Sequence, residues 1–285
     1  MKTIQLFYFD TVPNFGDLLN RHILEKIFNV KVEHANSGQA EMVAIGSMLE
    51  EFLWNNVNSI KFLIKKNFRL KPLLVYGTGF IAEPHFKVKR PNGLPEIFFR
   101  RMIPCALRGK LTQGRMETIL HKNYDSLPLG DPGLLASLLI DSQPVVKKYS
   151  MGIIPHYVNK SHPKMEQLAA LNDHSVIIDI QAEPLEVLRQ IAQCETIVST
   201  AMHGLIAADA LGIPNQWIMA SNEIYGNNYK FRDYYSVFGQ TPEPLDLNTT
   251  NPKHITPQTV ADAYKIQPAD VKHIQTALLK AFRAP

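Results

Sequence analysis

The sequence holds only two cysteines in 285 residues, Cys105 and Cys194, and neither stands in a CxxC or CxxH spacing. That excludes a disulfide framework and gives no zinc signature, so both read as small buried apolar residues and no metal is expected. GxGxxG and GxxxxGK[ST] are missing too, Gly77-Thr78-Gly79 being only a fragment of the first. This argues against a dinucleotide fold and a P-loop nucleotide site. No stretch approaches the roughly 18 apolar residues of a membrane span. The opening "MKTIQLFYFD" is too short for the apolar core of a signal peptide, so a cytosolic location is the expectation. There is no internal repeat of fixed period and no low-complexity tract.

Acidic residues are scarce in one region. Between residues 61 and 115, Lys61, Lys65, Lys66, Arg69, Lys71, Lys87, Lys89, Arg90, Arg100, Arg101, Arg108, Lys110 and Arg115 face only Glu83 and Glu96. Such asymmetry attracts polyanions, anionic lipid surfaces or phosphorylated molecules. Lys110 and Arg115 read individually as surface charges. Within the region, "IKFLIKKNFRLK" reads first as a core helix with a basic outer face, and second as a helix lying on a membrane surface.

What is present is ordinary globular composition, 45% hydrophobic and 20% charged, in a chain long enough for two domains. Strand-like and helix-like stretches alternate. "IQLFYF" (4–9) is followed by a helix carried by Leu18, Leu19, Ile23, Leu24, Ile27 and Phe28, with Asp17 placed to N-cap it and Gly16 to let the backbone turn sharply. "EMVAIGSML" (41–49), "PLLVYGTGF" (72–80) and "CALRGKLTQGRME" (105–117) repeat the pattern, and "LGDPGLLASLLI" (129–140) adds a helix with Pro132 in its first turn. A second series follows the polar "DSQPVVKKYS" (141–150): "MGIIPHYVN" (151–159) and "SVIIDI" (175–180) as strands, "PLEVLRQIAQC" (184–194) as a helix. "GNNYKFRDYYSVFG" (226–239) has no clear period, and "TPQTVADAYKIQPADVKHIQTALLKAF" closes as helix. The alternation predicts α/β architecture: two doubly wound, Rossmann-like halves, 1–142 and 143–285, facing across a cleft.

In "TIVSTAMHGLIAADALGIPN" (196–215) the strand Thr196-Ile197-Val198 turns through Ser199 and Thr200 into a helix stopped by Gly212 and Pro214. His203 lies in that helix's first turn, where unpaired N–H groups attract anions. Other strands are followed by Asn14 and Asp17, Ser47, Thr78, Arg108 and His156. In a doubly wound sheet such junctions share one edge, so these residues are expected to converge.

Taken in order, "NFGDLLN", "AIGSML", "ALRGKLT", "LGDPGLLA", "GIIPHY", "MHGLIAADALGIPN" and "YKFRDYYS" resemble the polysaccharide pyruvyl transferase family from about residue 14 to 236. The resemblance implies two facing Rossmann-like halves of the GT-B-like kind, the first on the acceptor side and the second carrying the donor site with His203. It also implies transfer of a pyruvyl group from phosphoenolpyruvate to a sugar as a cyclic ketal. Arg108 matches the arginine of an R-G-x-L-T-type segment, His203 the histidine of the family's R-L-H-G, His156 that of a P-H segment, and Lys230 with Arg232 and Asp233 a looser basic patch. Arg108 is thereby expected to hold an acidic group of the donor, His203 to be the acid or base nearest the enol, and His156, Lys230 and Arg232 to assist with phosphate or acceptor. Arginine suits a phosphate and a carboxylate, and histidine the proton transfers. Asn14, Gly16 and Asp17 form a turn expected to hold the acceptor sugar.

One position departs from the pattern: Ala201 stands where the family has arginine, and Met202 replaces leucine. Another cation such as Lys230 or Arg232 substitutes, the donor differs, or the activity is lost. The implied partners are phosphoenolpyruvate as donor substrate, with no cofactor besides, and an oligosaccharide or lipid-linked saccharide, with peripheral membrane contact; no nucleic acid is expected. A nucleotide-sugar glycosyltransferase on the same scaffold, or a carbohydrate-binding relative without activity, are the alternative readings.

Overall fold

Every described strand up to Ala106 joins one sheet, and every described strand from Tyr149 onward joins another. The computed structural model describes residues 1–53, 71–84, 95–140, 145–221, 224–226 and 228–285. The first sheet contains β1 (Thr3–Phe7), β2 (Lys31–His34), β3 (Met42–Val43), β4 (Leu73–Tyr76) and β5 (Met102–Ala106), in spatial order β2-β1-β3-β4-β5 and parallel throughout. The second contains β6 (Tyr149–Ile154), β7 (Ser175–Ile177), β8 (Cys194–Ser199), β9 (Asn215–Met219) and β10 (Leu245–Asp246), in order β10-β9-β8-β6-β7, again all parallel. Parallel strands need crossovers, and the helices that supply them cover the sheet faces. In both sheets the first strand is internal: the chain leaves it on one side and continues on the other. Strand order therefore reverses between β1 and β3 and again between β6 and β8, the two places where such sheets open a crevice beyond their carboxyl ends.

The helices are α1 (Phe15–Phe28), α2 (Lys110–Leu120), α3 (Pro163–Leu171), α4 (Pro184–Ala192), α5 (Met202–Ala210), α6 (Tyr229–Tyr235), α7 (Pro257–Ala263) and α8 (Pro268–Ala281). Phe15, Leu19 and Ile23 of α1, Leu134 and Leu135, and Leu205 and Ile206 of α5 belong to one buried cluster, so the halves share a core. The backbone N–H of Phe15 donates to the Ile180 carbonyl at 2.9 Å, tying the start of α1 to the second half. Two later elements cross back to the first half. On α8 the Leu278 carbonyl accepts the Tyr76 hydroxyl at 2.9 Å, and just beyond it Phe282 stacks on Phe28 with centroids 3.8 Å apart. α6 lies against the start of α2, where a Cβ on Gly109 would sit 1.8 Å from the Asp233 carbonyl oxygen; only glycine permits that approach.

The first helix begins three residues earlier than its apolar stripe suggests, with Asn14 as N-cap, so Asp17 lies inside the first turn instead of capping it. "DPGLLASLL" forms a 3₁₀ helix, Pro132–Leu139, capped by Asp131. The aperiodic 226–239 segment contains α6, and the closing helix is two helices parted at Pro268, whose missing N–H suits a first turn. Arg115 is buried in a double hydrogen bond to Glu96, while Lys110 is exposed. Cys105 and Cys194 are free and buried. Most of "IKFLIKKNFRLK" lies outside the described residues.

Candidate active site

The two switch points face each other across a cavity of ≈ 290 Å³. From the first half, the loop after β1 contributes Asn14 and Asp17 and the loop after β3 contributes Gly46 and Ser47. From the second, the turn after β6 contributes His156 and the β8–α5 junction contributes Ala201 and His203, while α6 adds Lys230. Residues far apart in sequence converge because each follows a strand whose carboxyl end points at the cleft.

Two helices begin at this cavity in opposite ways. Asn14 caps α1: its Oδ1 accepts the Gly16 N–H at 3.4 Å while its Nδ2 donates to Asp17 Oδ2 at 3.1 Å. Asn20 fastens the same turn to the first sheet, donating to the Ile45 carbonyl at 3.0 Å and accepting the Ile45 N–H at 2.8 Å. Ala201 sits at the N-cap of α5 and has no side chain able to cap. The leading N–H groups of α5 and its dipole thus remain available to an anion. The two starts touch: a Cβ on Gly16 would lie 1.9 Å from His203 Nδ1, so the imidazole occupies the space that glycine leaves.

Burial sets the electrostatics. The Asp17 carboxyl, only 7% exposed, is pushed up to about 7 by desolvation, against the opposing pull of Asn14 and the Lys230 charge. Lys230 is brought down to about 8, by burial first and by repulsion from Arg108 second. Its ammonium has no hydrogen bond or ion pair among the described residues; it lies 5.6 Å from the Phe231 ring and is attracted by Asp17. His203 and His156 are both lowered to about 3, by burial and then by the Lys230 charge, so both are neutral near pH 7. His203 Nε2 is buried without a partner among the described residues. His156 Nδ1 accepts the Val158 N–H at 3.4 Å.

Arg108 does not reach the cavity. It is fully buried, and its guanidinium donates to Asp233 Oδ2 at 2.9 Å, Ser47 Oγ at 2.6 Å, and the Gly46 and Phe80 carbonyls. Asp233 in turn accepts the Thr112 N–H at 2.8 Å and the Thr112 hydroxyl at 2.6 Å. The arginine expected to grip a donor instead orients Ser47 at the cavity wall and locks α6 to the first half. Arg232 points away, 41% exposed and 3.8 Å from Glu243. Thr78 is likewise a fastener, donating to the Gly46 carbonyl at 2.7 Å and accepting the Met48 N–H. Of the residues singled out from sequence, His203, His156, Lys230, Asn14, Asp17, Ser47, Ala201 and Met202 line the cavity, and Gly16, Arg108 and Arg232 do not. Sequence reasoning missed Phe9, Val12 and Tyr157, exposed apolar residues at its mouth. Their signal is exposure at a strand end, which only the fold displays.

Fold and site together define a double-Rossmann protein with an anion-ready cleft at paired switch points. The polysaccharide pyruvyl transferase family model matches residues 8–221, and the chain belongs to that family. It is 31% identical over 245 residues to an uncharacterized protein of Acanthamoeba polyphaga mimivirus, spanning 84% of this chain and 75% of that one. It is 30% identical over 142 residues to the succinoglycan biosynthesis protein ExoV of Rhizobium meliloti, spanning 49% of this chain and 42% of ExoV. Among solved structures, an uncharacterized Klebsiella pneumoniae protein aligns with TM-score 0.46 at 11% identity over 86% of this chain and 92% of its own. The wall teichoic acid polymerase TagF aligns with TM-score 0.44 at 10% identity over 98% and 82%. Membership makes the chain a transferase of the polysaccharide pyruvyl class. Among the described residues no helix is long and apolar enough to cross a membrane, and no group of three potential ligands could hold a metal ion.

Proposed function

We propose that the chain transfers a pyruvyl group from phosphoenolpyruvate to a hydroxyl pair of a saccharide, closing a cyclic ketal on a cell-surface polysaccharide or its lipid-linked precursor. The reaction takes place in the cytoplasm, at the membrane face where lipid-linked saccharides are built, and uses no cofactor beyond the donor. The carrying observation is Lys230, a half-buried cation with no hydrogen bond or ion pair among the described residues, beside the uncapped start of α5. A partly desolvated charge without an ion-pair partner is costly, so a site that retains one favours a ligand of opposite charge. Lys230 supplies the cation that Ala201 lacks. It takes one acidic group of the donor, and the α5 N–H groups and neutral His203 hydrogen-bond the other. His156 assists from the second wall, and Asn14 and Gly16 shape the acceptor side. A volume of ≈ 290 Å³ lies at the small end of ligand cavities, which suits a three-carbon phosphate better than a nucleoside diphosphate.

The test is phosphate release from phosphoenolpyruvate against free and lipid-linked oligosaccharides, with thermal shifts in parallel. Sugar-dependent release from the wild type, lost in Lys230→Met, is the expected result. Stabilisation by uridine diphosphate and not by phosphoenolpyruvate would transfer the assignment to a glycosyltransferase. Stabilisation by oligosaccharide alone would leave a binding protein, and gain of activity only in Ala201→Arg would mark a decayed donor site.

A further inference from the structure

Ketal formation needs a group that gives one proton and takes another, and besides Lys230 and the Tyr157 phenol at its mouth the cavity offers two histidines and one carboxyl. The histidines are held in surroundings hostile to the imidazolium ion. His203 is wedged against Gly16 with its Nε2 buried, and His156 already uses Nδ1 as an acceptor. Both lie close enough to Lys230 to feel its charge. The third, Asp17, is the one carboxyl among the described lining residues. Asn14 holds its Oδ2, and its Oδ1 has no hydrogen-bond partner among the described residues. One carboxyl oxygen is thus fixed and the other is left for a ligand, on the wall opposite the uncapped helix start. The charged and titratable groups around it are Lys230 from α6, His203 from α5, His156 and Tyr157 after β6, and Tyr8 on the side of β1.

Resting on the donor reading above, we propose that Asp17 is the acid–base group of the transfer, giving its proton to the terminal methylene of phosphoenolpyruvate and taking one back from the attacking sugar hydroxyl. The electron pair of the C=C bond forms the new C–H bond. The first hydroxyl oxygen bonds to the neighbouring carbon and loses its proton to the Asp17 carboxylate, which restores the acid. Phosphate leaves with the electron pair of its C–O bond, the second hydroxyl oxygen closes the ring, and that hydroxyl's proton departs with the phosphate. One carboxyl therefore serves both transfers, and the histidines act only as neutral hydrogen-bonding groups. A carboxyl titrating at about 7 is matched to this double duty, since it is readily protonated and readily deprotonated at neutral pH.

The experiment follows phosphate release and ketal formation with pH, from about 5 to 9, for the wild type, Asp17→Asn, His203→Gln and Asn14→Ser. Wild-type kcat should fall as pH rises through about 7, where the acid is lost. Asp17→Asn should lose about 100-fold or more in kcat, keep KM for phosphoenolpyruvate within about tenfold, and show no such limb. His203→Gln should raise KM and keep the limb. Asn14→Ser retains a capping oxygen but loses the Nδ2 amide that reaches Asp17 Oδ2, its hydroxyl being on a shorter side chain, so the limb should move to higher pH. That movement is a readout that a merely structural aspartate would not give, and it holds even if Asp17→Asn folds poorly. An Asp17→Asn enzyme within about tenfold of wild-type kcat with its limb intact overturns this assignment alone, as does an Asn14→Ser limb that stays in place. A wild type that releases no phosphate with any acceptor overturns the donor reading, and the role of Asp17 falls with it.

Discussion

The starts of α1 and α5 are the same local device, a strand end turning tightly into a helix at a switch point, finished in two different ways. α1 is closed by its own sequence: Asn14 caps it, Asp17 stands in its first turn and Asn20 fastens it to the sheet. α5 is left open, with Ala201 unable to cap. One start is a structural joint that presents a carboxyl, and the other presents uncapped backbone. A strand–turn–helix junction is therefore not evidence of a site until its cap has been accounted for.

The comparison breaks hardest at the strap that carries Lys230. Asp233→Ala would leave the fully buried Arg108 guanidinium without its counter-ion and should cost about 3–5 kcal/mol in denaturant unfolding. A loss below about 1 kcal/mol would mean that the pair does not hold α6 in place. Next in size is Gly16→Ala, which forces the two helix starts apart at the His203 ring; turnover should fall about 100-fold while helix content is kept, and normal turnover would show that the contact is not needed.

Acidification separates the two walls by sign. His156 and His203 have folded values near 3, below the ordinary 6.5, so the unfolded chain takes up protons first and their contribution is lost as pH falls through that interval. Asp17 behaves oppositely, its folded carboxyl holding a proton that the unfolded chain has released, so its contribution is lost as pH rises from 3.8 towards 7. The stability difference between wild type and His203→Gln should shrink by up to about 1.4 kcal/mol per pH unit below 6.5. A pH-independent difference would contradict the neutral histidine. The smallest effect sharpens the contrast: Ala201→Ser, by capping α5, should gain about 0.5–1 kcal/mol in stability and weaken stabilisation by phosphoenolpyruvate, whereas Asn14→Ala should lose about 1 kcal/mol.

The architecture was legible because parallel strands buried on both faces read as apolar runs, and because their junctions end in polar residues. Five of the expected site residues, His203, His156, Lys230, Asn14 and Asp17, do line one cavity. Arg108 was placed at the right junction, but whether a guanidinium faces a ligand or a buried carboxylate depends on Asp233, 125 residues away. Asp17 reads as a cap because Asn and Asp both suit an N-cap and both precede the apolar stripe; the choice is made by the amide of Asn14, which reaches both Gly16 and Asp17. α6 was hidden because Tyr229, Phe231, Tyr234 and Tyr235 are buried around its circumference and leave no polar face to give a period.

The bond from Tyr76 to the Leu278 carbonyl joins residues 202 positions apart, and the stacking of Phe28 on Phe282 spans still more of the chain. Synthesis runs from the first half outward, so that half leaves the ribosome with an apolar seat cut for a helix that has not yet been translated. Until residue 282 has emerged, Phe28 and Tyr76 lack these partners, and the side of the first half that α8 covers is left without its cover.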